Sequence, residues 1–164
     1  MGKIMIDVTR LLDFSVEQVW SLLRDFSRLD VLMPEISHLR LRPHQDGLLR
    51  EADCHGRCLL HQLLLCDDGE HRLCYQVLHA HGIDARNGAV VCLKAQNAQC
   101  NRCQLIWSLR LHTLPTWLPD DSASVFHRHA SAVIDENIDH LIRCLQQGSV
   151  TRTQGEAHGF SRHQ

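Results

Sequence analysis

Residues 120–147 read DDSASVFHRHASAVIDENIDHLIRCLQQ, and Gly148 follows. At 3.6 residues per turn, Phe126, Ala130, Val133, Ile134, Asn137, Ile138, Leu141 and Leu145 share one helix face. Arg128, Ser131, Asp135, Asp139, Arg143 and Gln146 share the other. Asp120 or Asp121 offers an N-cap, and Gly148 offers a C′ stop. Asp139 and Arg143 stand i,i+4 in the favourable order. At 1.5 Å per residue the helix is roughly 40 Å long. A helix of that length needs a long apolar surface to lie on, and the preceding sequence reads as its source.

The elements before it alternate at the period of strands. Ile4, Ile6 and Val8 fall on one face of a strand over residues 3–9. The segment LLDFS then turns the chain. Ser15 with Gln18 three residues later forms a capping box. The helix SVEQVWSLLRDF places Val16, Val19, Trp20, Leu23 and Phe26 on one side. A second short helical turn, SRLDVLM, ends at Pro34. Six strands follow, over 37–42, 48–56, 57–66, 71–79, 89–96 and 100–113. Turn residues mark their breaks at 43–47, 67–69, Asn87-Gly88 and 97–101. Short connections imply antiparallel neighbours. Residues 114–119, LPTWLP, are a stiff connector into the long helix. Residues 149–164, poor in apolar side chains, are expected to be a disordered tail beyond a single domain over 1–148.

This order predicts an α+β helix-grip fold. A curved antiparallel sheet wraps around the long C-terminal helix, with two short helices after the first strand. Such surfaces do not meet everywhere, so a cavity between them is the physical expectation.

Composition bounds the function. At 164 residues the chain predicts one domain with a sizeable core. A net charge of -2 argues against nucleic acid as the main partner. The sequence has no apolar run long enough to span a membrane. MGKIMIDVTRLLDFS has neither the apolar stretch nor the cleavage site of a signal peptide. Ile6 stands where myristoylation favours Ser or Thr. Without a secretion signal, the 8 cysteines are expected as reduced thiols in a cytoplasmic protein.

Several segments carry a resemblance. Val19-Trp20, Asp25-Phe26 and Pro34 resemble the opening helices of the START-like, Bet v 1-like superfamily (SRPBCC). Gly47-Leu48-Leu49-Arg50, Leu73-Cys74-Tyr75-Gln76-Val77 and Cys103-Gln104-Leu105-Ile106-Trp107 are similar to strands of its polyketide cyclase/dehydrase and lipid transport branch. The resemblance spans about residues 3–147. It departs at Val31 or Leu32, where relatives often carry an aromatic residue, and at His61, where many carry a glutamate. It implies an internal pocket for apolar molecules. Some relatives carry lipids or quinones, some sense hormones, and some cyclise or dehydrate polyketides.

Strand phase nominates the pocket. Leu73, Tyr75 and Val77 face inward, as do Val91, Leu93 and Ala95, and then Cys103, Leu105, Trp107 and Leu109. Tyr75 and Trp107 become walls with a polar tip each, or ordinary core. His61 shares the inward phase of Leu59, Leu63 and Leu65 and either orients a ligand or is satisfied within the core. Arg50 either holds a carboxylate at the pocket mouth or lies on a solvated face, since Glu51 and Asp53 alternate with it. Asn137, amid the apolar stripe, is a structural amide or faces a wet pocket. With Phe126 and Ile134 these complete the candidate ligand-binding set.

Metal and cofactor chemistry find little support. Cys100-x-x-Cys103 lacks a second pair, and Cys54-His55-x-x-Cys58-x-x-His61 is not a zinc spacing. On a strand, Cys54 and Cys58 would share one face, with His55 and His61 on the other. His127 and His129 diverge on the helix. No cofactor motif is present. The leading expectation is a small hydrophobic ligand bound in the cavity. The alternatives are a cyclase or dehydratase using the same cavity, or an interaction module that forms a homodimer through an edge strand.

Overall fold

The structure is a computed structural model that describes residues 4–45, 47–80, 83–96, 101–111 and 122–157. Its strands are β1 (Ile4–Leu12), β2 (Ile36–His44), β3 (Gly47–Cys54), β4 (Arg57–Asp67), β5 (Arg72–Ala80), β6 (Ile83–Ala95) and β7 (Cys103–Leu111). Helix α1 (Val16–Leu23) and a 3₁₀ turn (Leu29–Val31) lie between β1 and β2, and α2 (Ser122–Ala157) follows β7. The strands form one antiparallel sheet in the order β1-β7-β6-β5-β4-β3-β2. Register shifts at Ser37/Arg40, Leu60/His61, Leu63/Leu65 and Val77/His79 bend it. The α+β architecture, a curved sheet with a long C-terminal helix, is the one expected.

The inward phase holds along β1, β7 and most of β6. Ile6, Val8 and Leu12 from β1, Val91 and Leu93 from β6, and Cys103, Leu105 and Trp107 from β7 are buried. They meet Ile134, Ile138, Leu141 and Leu145 of α2 in one core. Fully burying one such aliphatic side chain contributes about 1.5–3 kcal/mol. The capping box of α1 forms in both directions between Ser15 and Gln18. Trp20 is buried, and its Nε1 donates to Asp68 Oδ1 at 2.8 Å, tying α1 to the β4–β5 turn. Asp67 shapes that turn by accepting from the backbone of Gly69 and Glu70, each at 3.0 Å.

The structure also corrects details. β1 continues through Leu11 and Leu12, where a turn was expected. Asn87-Gly88 is not a turn. Both residues pair with β5, Gly88 also pairs with β7, and sheet pairing on two sides outweighs the local turn preference. The reversal between β3 and β4 falls on His55 (φ 52) and Gly56 (φ 75), where no turn was marked. Two successive positive φ values define the type I′ geometry that suits right-twisted hairpins.

Helix α2 departs from its expected ends and faces. It runs past Gly148 to Ala157, so Gly148 is not a C′ stop. Val133 is exposed although it was placed on the apolar stripe, and Ala95 and Leu65 are exposed on their strands. Asp139 does not pair with Arg143. It accepts from Arg10 of β1 at 2.9 Å, and Asp135 accepts from the same guanidinium at 3.2 Å. Arg143 instead lies 3.1 Å from His140 Nδ1. The reason is reach, because Arg10 occupies the inward phase of β1 beside the helix. The connector 114–119, the N-cap candidates Asp120 and Asp121, and residues 158–164 lie outside the described residues. Among the described residues no helix is long and apolar enough to cross a membrane.

Candidate functional site

Register builds the site. Arg50 on β3 stands directly opposite His61 on β4, and Leu63 of β4 stands opposite Tyr75 of β5. Even positions of β3 face inward with Ala52 and Cys54, so Arg50 is carried into the core. The segment leaving α1 brings Phe26 over it. Three neighbouring strands and one post-helical residue thus converge on a single buried guanidinium.

Its geometry is well defined. Arg50 Nη1 donates to the Phe26 carbonyl at 3.2 Å. Nη2 donates to His61 Nδ1 at 2.8 Å. The guanidinium carbon lies 3.8 Å from the Phe26 ring centroid and 5.5 Å from that of Tyr75. The His61 and Tyr75 rings are 5.1 Å apart. Arg50 is 4% exposed and His61 6%, yet Arg50 Nε has no hydrogen-bond partner. No Asp or Glu among the described residues pairs with this guanidinium.

The electrostatics follow from that geometry. Burial pushes the Arg50 guanidinium down to about 10, against a small opposing pull from Tyr75. It therefore keeps its charge at neutral pH. Burial, and then the Arg50 charge, hold His61 well below the usual 6.5. His61 is neutral, so Nδ1 accepts from Arg50 and the ring proton sits on Nε2. Burial pushes the Tyr75 phenol up to about 12, with Arg50 and the Trp107 side chain pulling the other way. The result is a neutral hydroxyl beside a cation, with no anion among the described residues to balance it.

The expected residues divide into two groups. Arg50, His61 and Tyr75 touch one another, and Trp107 adjoins Tyr75. Arg50 is in the interior, neither on a solvated face nor at a mouth. Phe126 and Asn137 are partly buried and Ile134 is buried, all on α2, which packs chiefly on β1 and the 3₁₀ turn. Among the described residues no hydrogen bond or ring contact joins the Arg50 cluster to α2. Sequence reasoning missed Phe26 as a site residue. Its signal was the Asp25-Phe26 pair beyond the helix, which reads as core until Arg50 is known to point inward.

Two other features group polar and titratable side chains. A groove of about 370 Å³ is lined by His38, Arg40, Glu51, Ala52, Asp53, Gly56 and Cys58. None of the expected pocket residues contributes to it. Glu35, Cys54 and His55 bring a carboxylate, a thiol and an imidazole within 4.8 Å of one another. The sequence grouping of Cys54, His55, Cys58 and His61 does not converge, because His55 sits in the turn and His61 is bound to Arg50. Burial first, then Glu35 and Asp53, push the Cys54 thiol up. Two of the triad are exposed, so it lacks the closed shell of a structural zinc. The seven described cysteines are free thiols, and Cys100 lies outside the described residues.

No family model matches the chain, and no curated protein matches it. Solved structures do. An uncharacterised protein from Bacillus thuringiensis superposes with a TM-score of 0.71 at 19% identity, over 87% of this chain and 99% of that one. XoxI from Bacillus cereus gives 0.67 at 20% identity, over 89% and 96%. Ara h 8.0201 gives 0.62 at 12% identity, over 87% and 99%. The chain thus shares the Bet v 1-like helix-grip fold with these structures.

Proposed function

We propose that this protein binds a small hydrophobic ligand between the curved sheet and α2. Tyr75, Trp107, Phe126 and Ile134 supply apolar walls, and Arg50, His61 and Asn137 supply polar anchors. One observation carries the reading: a charged, hydrogen-bonded cluster sits inside an otherwise apolar face. A core that served only stability gains nothing from it, because a buried ion costs several kcal/mol in desolvation. Polar groups in a hydrophobic concavity are what orients a small molecule. The fold shared with Ara h 8.0201 supports the same reading.

The geometry favours binding over a cyclase or dehydratase reaction. His61 has Nδ1 committed to Arg50 and is held neutral by burial, so it is not poised to exchange a proton near neutral pH. Native mass spectrometry of protein purified without detergent tests the proposal. The expected result is an adduct in the native spectrum that organic extraction removes. A bare mass, with no uptake of added alkyl-chain molecules, overturns it.

A further inference from the structure

The chemistry left open around Arg50 narrows the ligand class. A guanidinium has five N–H donors. The Phe26 carbonyl and His61 Nδ1 take two, and Nε is both buried and without an acceptor. The neighbours supply no negative charge, because Phe26 is apolar, His61 is neutral and Tyr75 holds its proton. Among the described residues, a cation in that setting lacks what buried cations in proteins almost always have, a paired anion.

From the unpaired Arg50 guanidinium set among Phe26, His61 and Tyr75, we infer that the ligand is a hydrophobic organic acid whose carboxylate docks on Arg50. The inference rests on the binding reading above and specifies its ligand. A carboxylate fits the fork geometry of a guanidinium and neutralises it one for one. The Tyr75 hydroxyl, still protonated, can donate to the same head group. A phosphate dianion would bring a second charge that no described neighbour balances. Phe26 stacked at 3.8 Å and His61 at 2.8 Å fix the guanidinium plane before the ligand arrives. A pre-oriented fork loses less freedom on binding. His61 is neutral and brings no anion of its own, which leaves that place to the ligand.

The test compares three probes of equal chain length on delipidated full-length protein by titration calorimetry: decanoate, 1-decanol and decyl phosphate. Wild type is expected to bind decanoate at least about tenfold more tightly than decanol, as a charge-assisted hydrogen bond in a dry site provides. Arg50→Met is expected to lose the preference for decanoate and bind the two equally. Equal binding of decanoate and decanol by wild type overturns the organic-acid inference and leaves the apolar site standing. Tighter binding of decyl phosphate overturns the carboxylate assignment. Binding of none of the three overturns the site itself. Where Arg50→Met does not fold, the wild-type preference alone decides.

Discussion

Arg10 on β1 holds Asp139 on α2 at 2.9 Å, across 129 residues of sequence. The same guanidinium reaches Asp135, one turn earlier. One inward-phase arginine thus reaches two successive turns of the long helix from the edge of the sheet. Each partner is partly exposed, so water and salt screen the pairs.

The clamp leads to a modest, salt-dependent effect. Arg10→Ala is expected to destabilise the fold by about 0.5–1 kcal/mol at low ionic strength and by less in salt. A double-mutant cycle with Asp139→Asn, read by urea denaturation, isolates the coupling. No coupling at low salt would show that packing alone seats α2.

His61 makes stability depend on pH in one direction. Its folded-state value lies well below 6.5, so the unfolded chain takes up the proton first as pH falls. Its contribution is fully present above about 6.5 and drains away below it, with a limiting slope of about 1.4 kcal/mol per pH unit. The groups facing it are Arg50 from β3 and Tyr75 from β5, and neither titrates in that window. His61→Leu should flatten the loss between pH 6.5 and 4.5, as measured by chemical denaturation at each pH. An unchanged slope in that variant would assign the loss to other groups.

Removing the buried cation should separate stability from binding. Arg50→Met alone leaves His61 Nδ1 and the Phe26 carbonyl without their donor, at about 1–3 kcal/mol each. Arg50→Met combined with His61→Leu removes the charge and one orphan together. The double variant is expected to be more stable than either single one by about 1–4 kcal/mol. Thermal melts in the absence of ligand decide it, and a double variant less stable than both singles contradicts it.

The β3–β4 turn offers a local test. His55 occupies a left-handed position ahead of Gly56, where asparagine is the preferred residue. His55→Asn is expected to stabilise by about 0.5 kcal/mol, and Gly56→Ala to destabilise by about 1–2 kcal/mol. Gly47→Ala should do worse still. At φ +137 its new Cβ would lie 3.0 Å from the Leu63 carbonyl oxygen. Melting temperatures of the three variants give the ranking.

The fold was legible because its signals are periodic. Ile4, Ile6 and Val8, the Ser15–Gln18 capping box, and the Ile134, Ile138, Leu141 and Leu145 stripe each report a local rule that the tertiary structure keeps. Errors cluster where a distant partner overrides a local rule. Asn87-Gly88 is a strong turn pair held in a strand by neighbours on both sides. Asp139 has a suitable partner within its own helix and takes a remote one instead. The site was half legible for the same reason. Alternation gave two candidate faces for β3 and nothing local to choose between them. The choice of Arg50 over Glu51 and Asp53 for the interior depends on Phe26 and His61, which only the folded chain brings near.

The sheet is open, and β2 forms one of its two margins. That margin is broken by the irregularity between Ser37 and Arg40, and Pro43 lacks a backbone donor. Arg40 and Arg42 line it with positive charge, drawn toward Glu51. Such a border is poorly suited to growing by another strand, so any addition to the sheet would fall to the opposite margin, β1.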